Sequence, residues 1–267
     1  WGGECNDPRC PGCIKVSAAR VEDAEDRVKG ELERDGVLEM WEVEEVALAL
    51  GRAVKDRNHE LLKSTLRRVP ARASPQIWNI LLPLAAHLGN VEATSHLLAL
   101  GADANGVTDD LEARNEVPPL ANAAMLGHGA VVSVLIRAGA DVETRNIYGY
   151  TPLIYAVTYS DLTGGVLALL EGGADVEAKD SNGHTALLHA AKTGRADSIR
   201  TLVEHGARLD ATDMTGLSAV EVAERNNYPD AAALLKRLAM RARLQEKHKQ
   251  RMAAGGQGGG AEEADLT

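Results

Sequence analysis

Apolar residues recur three and four positions apart through most of the chain between residues 77 and 238, which is the spacing of one buried helix face. Two such stripes are Val131, Val134, Leu135 and Ile199, Leu202, Val203. Because one stripe leaves its apolar side uncovered, each helix needs a neighbouring helix to bury it. The pattern therefore predicts an all-α stack of short helices.

A fixed period divides these helices into units. The Gly-Ala dipeptides at Gly139, Gly173 and Gly206 follow one another at intervals of 34 and 33 residues, and the one at Gly101 precedes them by 38. Ten or so residues later each unit carries a helix-start signal, as in Thr151-Pro152-Leu153, Thr185-Ala186-Leu187 and Ser218-Ala219-Val220. A Thr or Ser hydroxyl caps the first turn and Pro fits the first helical position, so each unit is expected to begin a helix here.

Several motifs in register identify the repeat. The string Gly149-Tyr150-Thr151-Pro152-Leu153, the Gly-His-x-x-Val-Val of 127–132 and the repeated Gly-Ala-Asp-Val together resemble the ankyrin repeat. The fourth position of the family's Thr-Pro-Leu-His is occupied by Pro83, Ala121, Ile154, Leu188 and Glu221. The resemblance covers about residues 77–238 and implies an ankyrin-repeat solenoid of stacked helix pairs with short hairpin-like finger loops.

The solenoid is expected to contain about six helix pairs. They are predicted near residues 44–69, 77–100, 118–138, 151–172, 185–205 and 217–238, the first being a degenerate capping pair. Residues 1–43 are expected to form an N-terminal segment with a cysteine-containing linker and an acidic helix. Residues 239–267 are expected to form a basic helical extension and a Gly-rich acidic tail. Extra residues within 107–117 are expected to lengthen one finger loop.

Composition and charge indicate what fills the core and which classes of partner are disfavoured. The chain has no Phe and only 3% aromatic residues, so Ala, Leu, Val and Ile must fill a closely packed core. The formal net charge of −10 disfavours nucleic acid, although residues 231–252 carry seven Lys or Arg against Glu246. A nucleic-acid or chromatin-associated protein that uses this basic helix stays an open alternative. No apolar stretch has the roughly 20 residues of a spanning helix, so no membrane association is expected.

The N-terminal cysteines leave another alternative open. Cys5, Cys10 and Cys13 supply three thiolates where a structural zinc site needs four ligands, so the segment is either a truncated zinc site or a plain linker. The chain begins with Trp1 rather than Met, which suggests a fragment or a processed product. An adaptor region of a larger protein, with a zinc-binding or catalytic domain upstream, therefore stays an alternative. The absence of a signal peptide and of Asn-x-Ser/Thr sequons favours the cytoplasm or nucleus.

No set of residues in the sequence has the spacing of a catalytic or nucleotide-binding motif, so we expect no enzyme, no cofactor and no metal ligand within the repeats. The resemblance implies instead a protein-protein interaction module, or scaffold, that binds a partner protein through its fingers and first helices. The residues expected to bind are Met125, Arg145, Ile147, Tyr148, Tyr155, Lys179, Asp180, His189 and Met214. Large apolar side chains at positions that need no core residue have the composition of an interface.

Overall fold

The computed structural model describes residues 26, 29–30, 45–46, 48–49, 52–53, 56, 58–68, 75–106, 117–160 and 162–255. Its helices are α1 (His59–Leu66), α2 (Pro75–Leu88), α3 (Val91–Ala99), α4 (Pro119–Met125), α5 (Gly129–Arg137), α6 (Pro152–Tyr159), α7 (Gly164–Glu171), α8 (Ala186–Thr193), α9 (Ala196–Glu204), α10 (Ala219–Arg225) and α11 (Pro229–Gly255). Within these ranges the strand-like contact is a single antiparallel bridge between Thr212 and Ser218. The predicted all-α class is confirmed.

Capping side chains begin the first helix of three successive pairs. The hydroxyls of Thr151, Thr185 and Ser218 accept the backbone N–H three residues ahead, at 3.4, 3.5 and 3.5 Å. Ser218 completes a capping box, because the Glu221 carboxylate accepts the Ser218 backbone N–H. These contacts satisfy N–H groups that a helix leaves unpaired in its first turn, so the repeated Thr or Ser sets the start of each pair.

The helices stand in two rows. Helices α2, α4, α6, α8 and α10 contact one another in that order, and α1, α3, α5, α7, α9 and α11 form the second row. Leu120, Leu153 and Leu187 occupy the same place in three successive first helices, and each is 1% exposed. Their side chains belong to one continuous core that runs the length of the stack. Each pair therefore depends on its two neighbours for the burial of its apolar faces.

Glycines allow α7 to approach both α4 and α5 closely. Gly165, at the start of α7, is buried, and a Cβ placed there would lie 2.6 Å from the carbonyl oxygen of Ala124 in α4. A Cβ at Gly129 would lie 2.5 Å from the carbonyl oxygen of Gly164. The backbones at these points fill the space that a side chain would need.

The finger loops are tight turns built on one polar side chain each. The first residues of three successive fingers are Asn146, Asp180 and Asp213, and each accepts two backbone N–H groups from residues two and four positions ahead. Adjacent fingers are joined by backbone hydrogen bonds: Ser181 N–H donates to the Tyr148 carbonyl at 3.0 Å, and Met214 N–H to the Asn182 carbonyl at 3.4 Å. The spacing between fingers is thus set by the main chain.

A second set of contacts joins the repeats below the finger tips. The side chains of Asn105, Glu143 and Glu177 each accept a backbone N–H from the following repeat, at 2.7, 2.8 and 2.9 Å. The donors are Asp141, Asp175 and Arg208. Since the contact recurs once per repeat, it holds successive loops at a constant offset.

The two ends of the stack are capped differently. Residues 45–46, 48–49 and 52–53 are helical, and Val46 and Ala53 are buried in the common core. At the other end α11 spans 27 residues and continues past its packed portion, so that Met240, Leu244 and Met252 are exposed. Among the residues described, no helix combines the length and apolar character needed to cross a membrane. The cysteines, the loop residues 107–116 and most of the acidic segment lie outside the described residues.

Candidate protein-binding surface

The finger tips expose large apolar side chains. Ile147, Tyr148 and Met214 are 65%, 43% and 77% exposed. Their fingers are connected through the finger between them, because Ser181 bonds to the Tyr148 backbone and the Met214 side chain lies against Gly183. We call Ile147, Tyr148 and Met214, together with the exposed Arg145 and Lys179, the finger surface.

Arg145 does more than line this surface. Its Nη1 donates to the carbonyl oxygen of Lys179 at 2.6 Å and lies 3.4 Å from that of Gly149. The guanidinium therefore spans from its own finger to the next one, while the residue as a whole is exposed. Arg145 is both a rim residue of the finger surface and a tie between two repeats.

Four residues that we expected on the exposed surface are buried, and that expectation is wrong. They are Met125, Tyr155, Asp180 and His189, with exposures of 6%, 3%, 7% and 2%. The physical reason for Tyr155 and His189 is that the preceding finger folds over the helix and hydrogen-bonds to it through Asn146 and Asp180. Met125 and Tyr155 pack with Ala121 in a small second core outside the main one.

Aromatic rings form a continuous row from this second core to the exterior. Ring centroids are 6.0 Å apart for Tyr159 and Tyr155, 5.7 Å for Tyr155 and Tyr150, and 6.4 Å for Tyr150 and Tyr148. Two of the contacts are edge-to-face, the arrangement in which the positive edge of one ring meets the negative face of another. The exposed Tyr148 is thus supported from beneath by the row.

Tyr155 is fixed by a hydrogen bond as well as by packing. Asn146 Nδ2 donates to its hydroxyl oxygen at 2.8 Å. Burial raises the pKa of Tyr155 to about 12, against a smaller opposing effect of that hydrogen bond. The hydroxyl is therefore neutral, and it links the first residue of the finger to the helix below it.

Asp180 takes the corresponding place in the next repeat. Its Oδ1 accepts the N–H groups of Asn182 and His184, both at 2.8 Å, and its Oδ2 lies 3.0 Å from Nε2 of His189. Burial raises the pKa of Asp180, but the hydrogen bonds from His189, His184 and Asn182 outweigh it and bring it to about 2. Burial lowers the pKa of His189 despite the neighbouring carboxylate. The pair is an ionised carboxylate beside a neutral imidazole.

His184 lies between two carboxylates. Its Nδ1 is 3.5 Å from Asp180 Oδ1, and its Nε2 is 3.7 Å from Asp213 Oδ2 in the following finger. One carboxylate oxygen of Asp180, one ring nitrogen of His184 and one of His189, each able to ligate a metal, lie within 4.8 Å of one another. Sequence reasoning missed this cluster, because it assigned Asp180 and His189 to the exposed surface and did not consider His184. The signal was the spacing Asp-x3-His-x4-His within one unit.

The fold and these motifs agree with the relatives of the chain. Residues 82–180 and 162–245 match the sequence profile described as ankyrin repeats, three copies. The chain belongs to the ankyrin-repeat family. An ankyrin repeat-containing protein of Treponema pallidum (strain Nichols) is 33% identical over 167 residues, which are 62% of this chain and 41% of that protein. The chain therefore spans about two fifths of the length of this relative.

A second relative is much shorter. Cyclin-dependent kinase 4 inhibitor B of Rattus norvegicus is 34% identical over 116 residues, which are 43% of this chain and 88% of that protein.

Proposed function

We propose that this ankyrin-repeat chain is a protein-protein interaction module that binds a partner protein through the finger surface. The observation that carries the proposal is the exposure of Ile147, Tyr148 and Met214 on fingers that the main chain holds in register. Aromatic residues, Met and Arg are enriched in the buried centres of protein interfaces, whereas Lys is typical of their rims. Ankyrin repeats generally act by binding proteins, and one relative is named as an inhibitor of a kinase, which supports binding to a protein here.

Those residues predicted from the sequence to bind that are in fact buried have a different role in this proposal. Met125 and Tyr155 support the fingers from beneath, and they do not touch the partner. The proposed activity is binding and not catalysis. Arg145, Lys179 and the three apolar side chains are then the residues in direct contact.

The experiment compares two matched substitutions in the full chain. The partner is captured from a lysate with the wild-type protein, identified by mass spectrometry, made recombinantly and titrated against each variant. Tyr148→Ala with Met214→Ala is expected to weaken its affinity by about 2 kcal/mol or more, or roughly 30-fold. Met240→Ala on α11 is the control, because Met240 is also exposed, at 61%.

Three outcomes would contradict the proposal. Unchanged affinity of the partner for the Tyr148 and Met214 variant would place the contact elsewhere. Loss of binding on truncation after Leu238 would favour the basic helix as the binding site. Binding of the chain to nucleic acid with a steep dependence on salt would favour it too. Since all three substituted side chains are exposed, circular dichroism and melting curves should match those of the wild type.

A further inference from the structure

We propose that Asp180, His184 and His189 together bind one zinc ion in the repeat formed by α8 and α9. Two imidazole nitrogens and one carboxylate oxygen are a ligand set typical of zinc and related divalent transition metals, whereas calcium and magnesium take oxygen ligands. The three ligand atoms already lie within 4.8 Å of one another. The inference goes beyond partner binding and does not depend on it.

The geometry needs little adjustment. Asp180 Oδ2 and His189 Nε2 are 3.0 Å apart, close to the separation of about 3.4 Å between ligands of a tetrahedral zinc ion with bonds near 2.0–2.1 Å. The side chains of these two residues are 0% and 2% exposed and are fixed by their surroundings, including the Tyr150 ring 5.0 Å from that of His189. The His184 side chain is 17% exposed, so it has room to rotate onto the ion and leaves a side open for a water ligand.

One ring nitrogen indicates a missing ligand. Nδ1 of His184 is buried and has no hydrogen-bond partner among the described residues. An unsatisfied buried polar atom is unfavourable, and a metal bound to Nδ1 would remove that cost. The other nitrogen, Nε2, faces Asp213 Oδ2 at 3.7 Å. Metal-bound histidines commonly donate their second N–H to a carboxylate, which makes Asp213 a positioning residue for His184.

The preceding repeat shows that the fold does not require these residue types. Asn146, Tyr150 and Tyr155 lie 34 residues before Asp180, His184 and His189, and Asn146 donates to the Tyr155 hydroxyl at 2.8 Å. The finger is thereby tied to its helix by an uncharged hydrogen bond. In the next repeat all three positions carry metal-ligand types, and a hydrogen-bonded link alone would not need that combination.

Zinc binding to the full chain tests the inference directly. Equilibrium dialysis would compare the wild type with His184→Gln and Asp180→Asn, and His96→Gln is the matched control because His96 is exposed on α3. Both cluster variants are expected to lose one zinc equivalent, with affinity for that site weakened at least about 100-fold. Cys5, Cys10 and Cys13 are present in every protein, so any zinc that they hold cancels in the comparison.

The variants are chosen to preserve the fold. Asn at position 180 is expected to keep the finger turn, because Asn146 accepts the same two N–H groups in its own finger. Metal-free melting curves check this point for each variant. In addition, zinc should raise the melting temperature of the wild type and of His96→Gln but not that of His184→Gln.

Asp213→Asn provides the second arm of the test. It should retain one equivalent of zinc at the site with affinity reduced about 10- to 100-fold, as expected when the partner of a ligating histidine is lost. Equal zinc stoichiometry and equal melting shifts in the wild type, His184→Gln and Asp180→Asn would overturn the proposal. The cluster would then be a hydrogen-bonded link like that of Asn146 and Tyr155.

Discussion

Replacement of Gly165 by Ala is expected to destabilise the protein, although the same change usually stabilises a helix. Within a helix, Ala is favoured over Gly by roughly 0.5–1 kcal/mol. Here the new Cβ would lie 2.6 Å from the Ala124 carbonyl oxygen and 3.1 Å from its Cα. Carbon–oxygen contacts are ordinarily about 3.3 Å or longer, so α7 or α4 must shift.

The expected magnitude follows from what the new methyl group meets. Both nearest atoms belong to the backbone of a packed helix and cannot rotate away, and overpacking of this kind typically costs about 1–3 kcal/mol. With the middle of each range, about 2 kcal/mol for the clash and about 0.75 kcal/mol for the helix preference, the clash outweighs the preference and leaves a net loss of about 1 kcal/mol. Urea unfolding followed by circular dichroism would measure it as a lower midpoint with an unchanged slope.

Gly30→Ala is the matched control. Gly30 is helical, and a Cβ placed there would lie within 4 Å of no atom of the described residues, so its replacement should leave the midpoint unchanged or raise it slightly. If Gly165→Ala were as stable as the wild type, the close approach of α7 to α4 would be incorrect. Destabilisation by both variants equally would refute the reasoning too, because the effect would then not depend on the contact.

Three further predictions concern the core and the tyrosine row. Tyr155→Ala should lower the free energy of unfolding by about 3–5 kcal/mol, because it removes a buried ring and leaves the Asn146 amide unpaired. In the same urea titration, Tyr148→Ala should change that free energy by less than about 0.5 kcal/mol. Leu187→Asp, which buries an unpaired carboxylate in the middle of the stack, should abolish the cooperative melting transition and most of the helical circular dichroism. Because the pKa of Tyr155 is raised to about 12 from 10.0, the folded state keeps a proton that the unfolded state loses. The contribution of Tyr155 to the free energy of unfolding should therefore be fully present below pH 10 and decline by about 2–3 kcal/mol as the pH rises from 10 to 12. Tyr155→Phe should remove that part of the decline.

The helical repeat could be predicted from the sequence because the patterns that mark it involve residues close together in the chain. A Thr or Ser before an apolar stripe defines a helix start wherever it occurs, and Thr151, Thr185 and Ser218 all cap the helices that the sequence indicated. The glycine turns contribute in the same way, since Gly149 and Gly183 have φ of +77° and +76°. Periodicity then required each helix to be covered by a neighbour, and the two rows of helices follow from that requirement.

The orientation of first-helix side chains was not accessible in this way. Tyr155 and His189 lie outside the apolar stripe, so periodicity places them on the polar side, yet both are buried. Their burial depends on the finger that folds over each helix and on the polar atoms of Asn146 and Asp180 that it brings down to them. Such contacts involve residues nine positions apart that belong to different elements. A rule for the fold of the finger would have been needed to predict them.

The backbone hydrogen bonds between successive fingers fix the positions of the finger tips independently of which side chains the tips carry. Ser181 and Met214 donate through their main-chain N–H groups, and the acceptors are the main-chain carbonyls of Tyr148 and Asn182. Any residue except proline at the donor positions could form the same bonds. Mutations at Ile147, Tyr148 or Met214 can thus accumulate without disturbing the distance from one tip to the next. The side chains at the tips can therefore change during evolution while the spacing of the fingers stays the same.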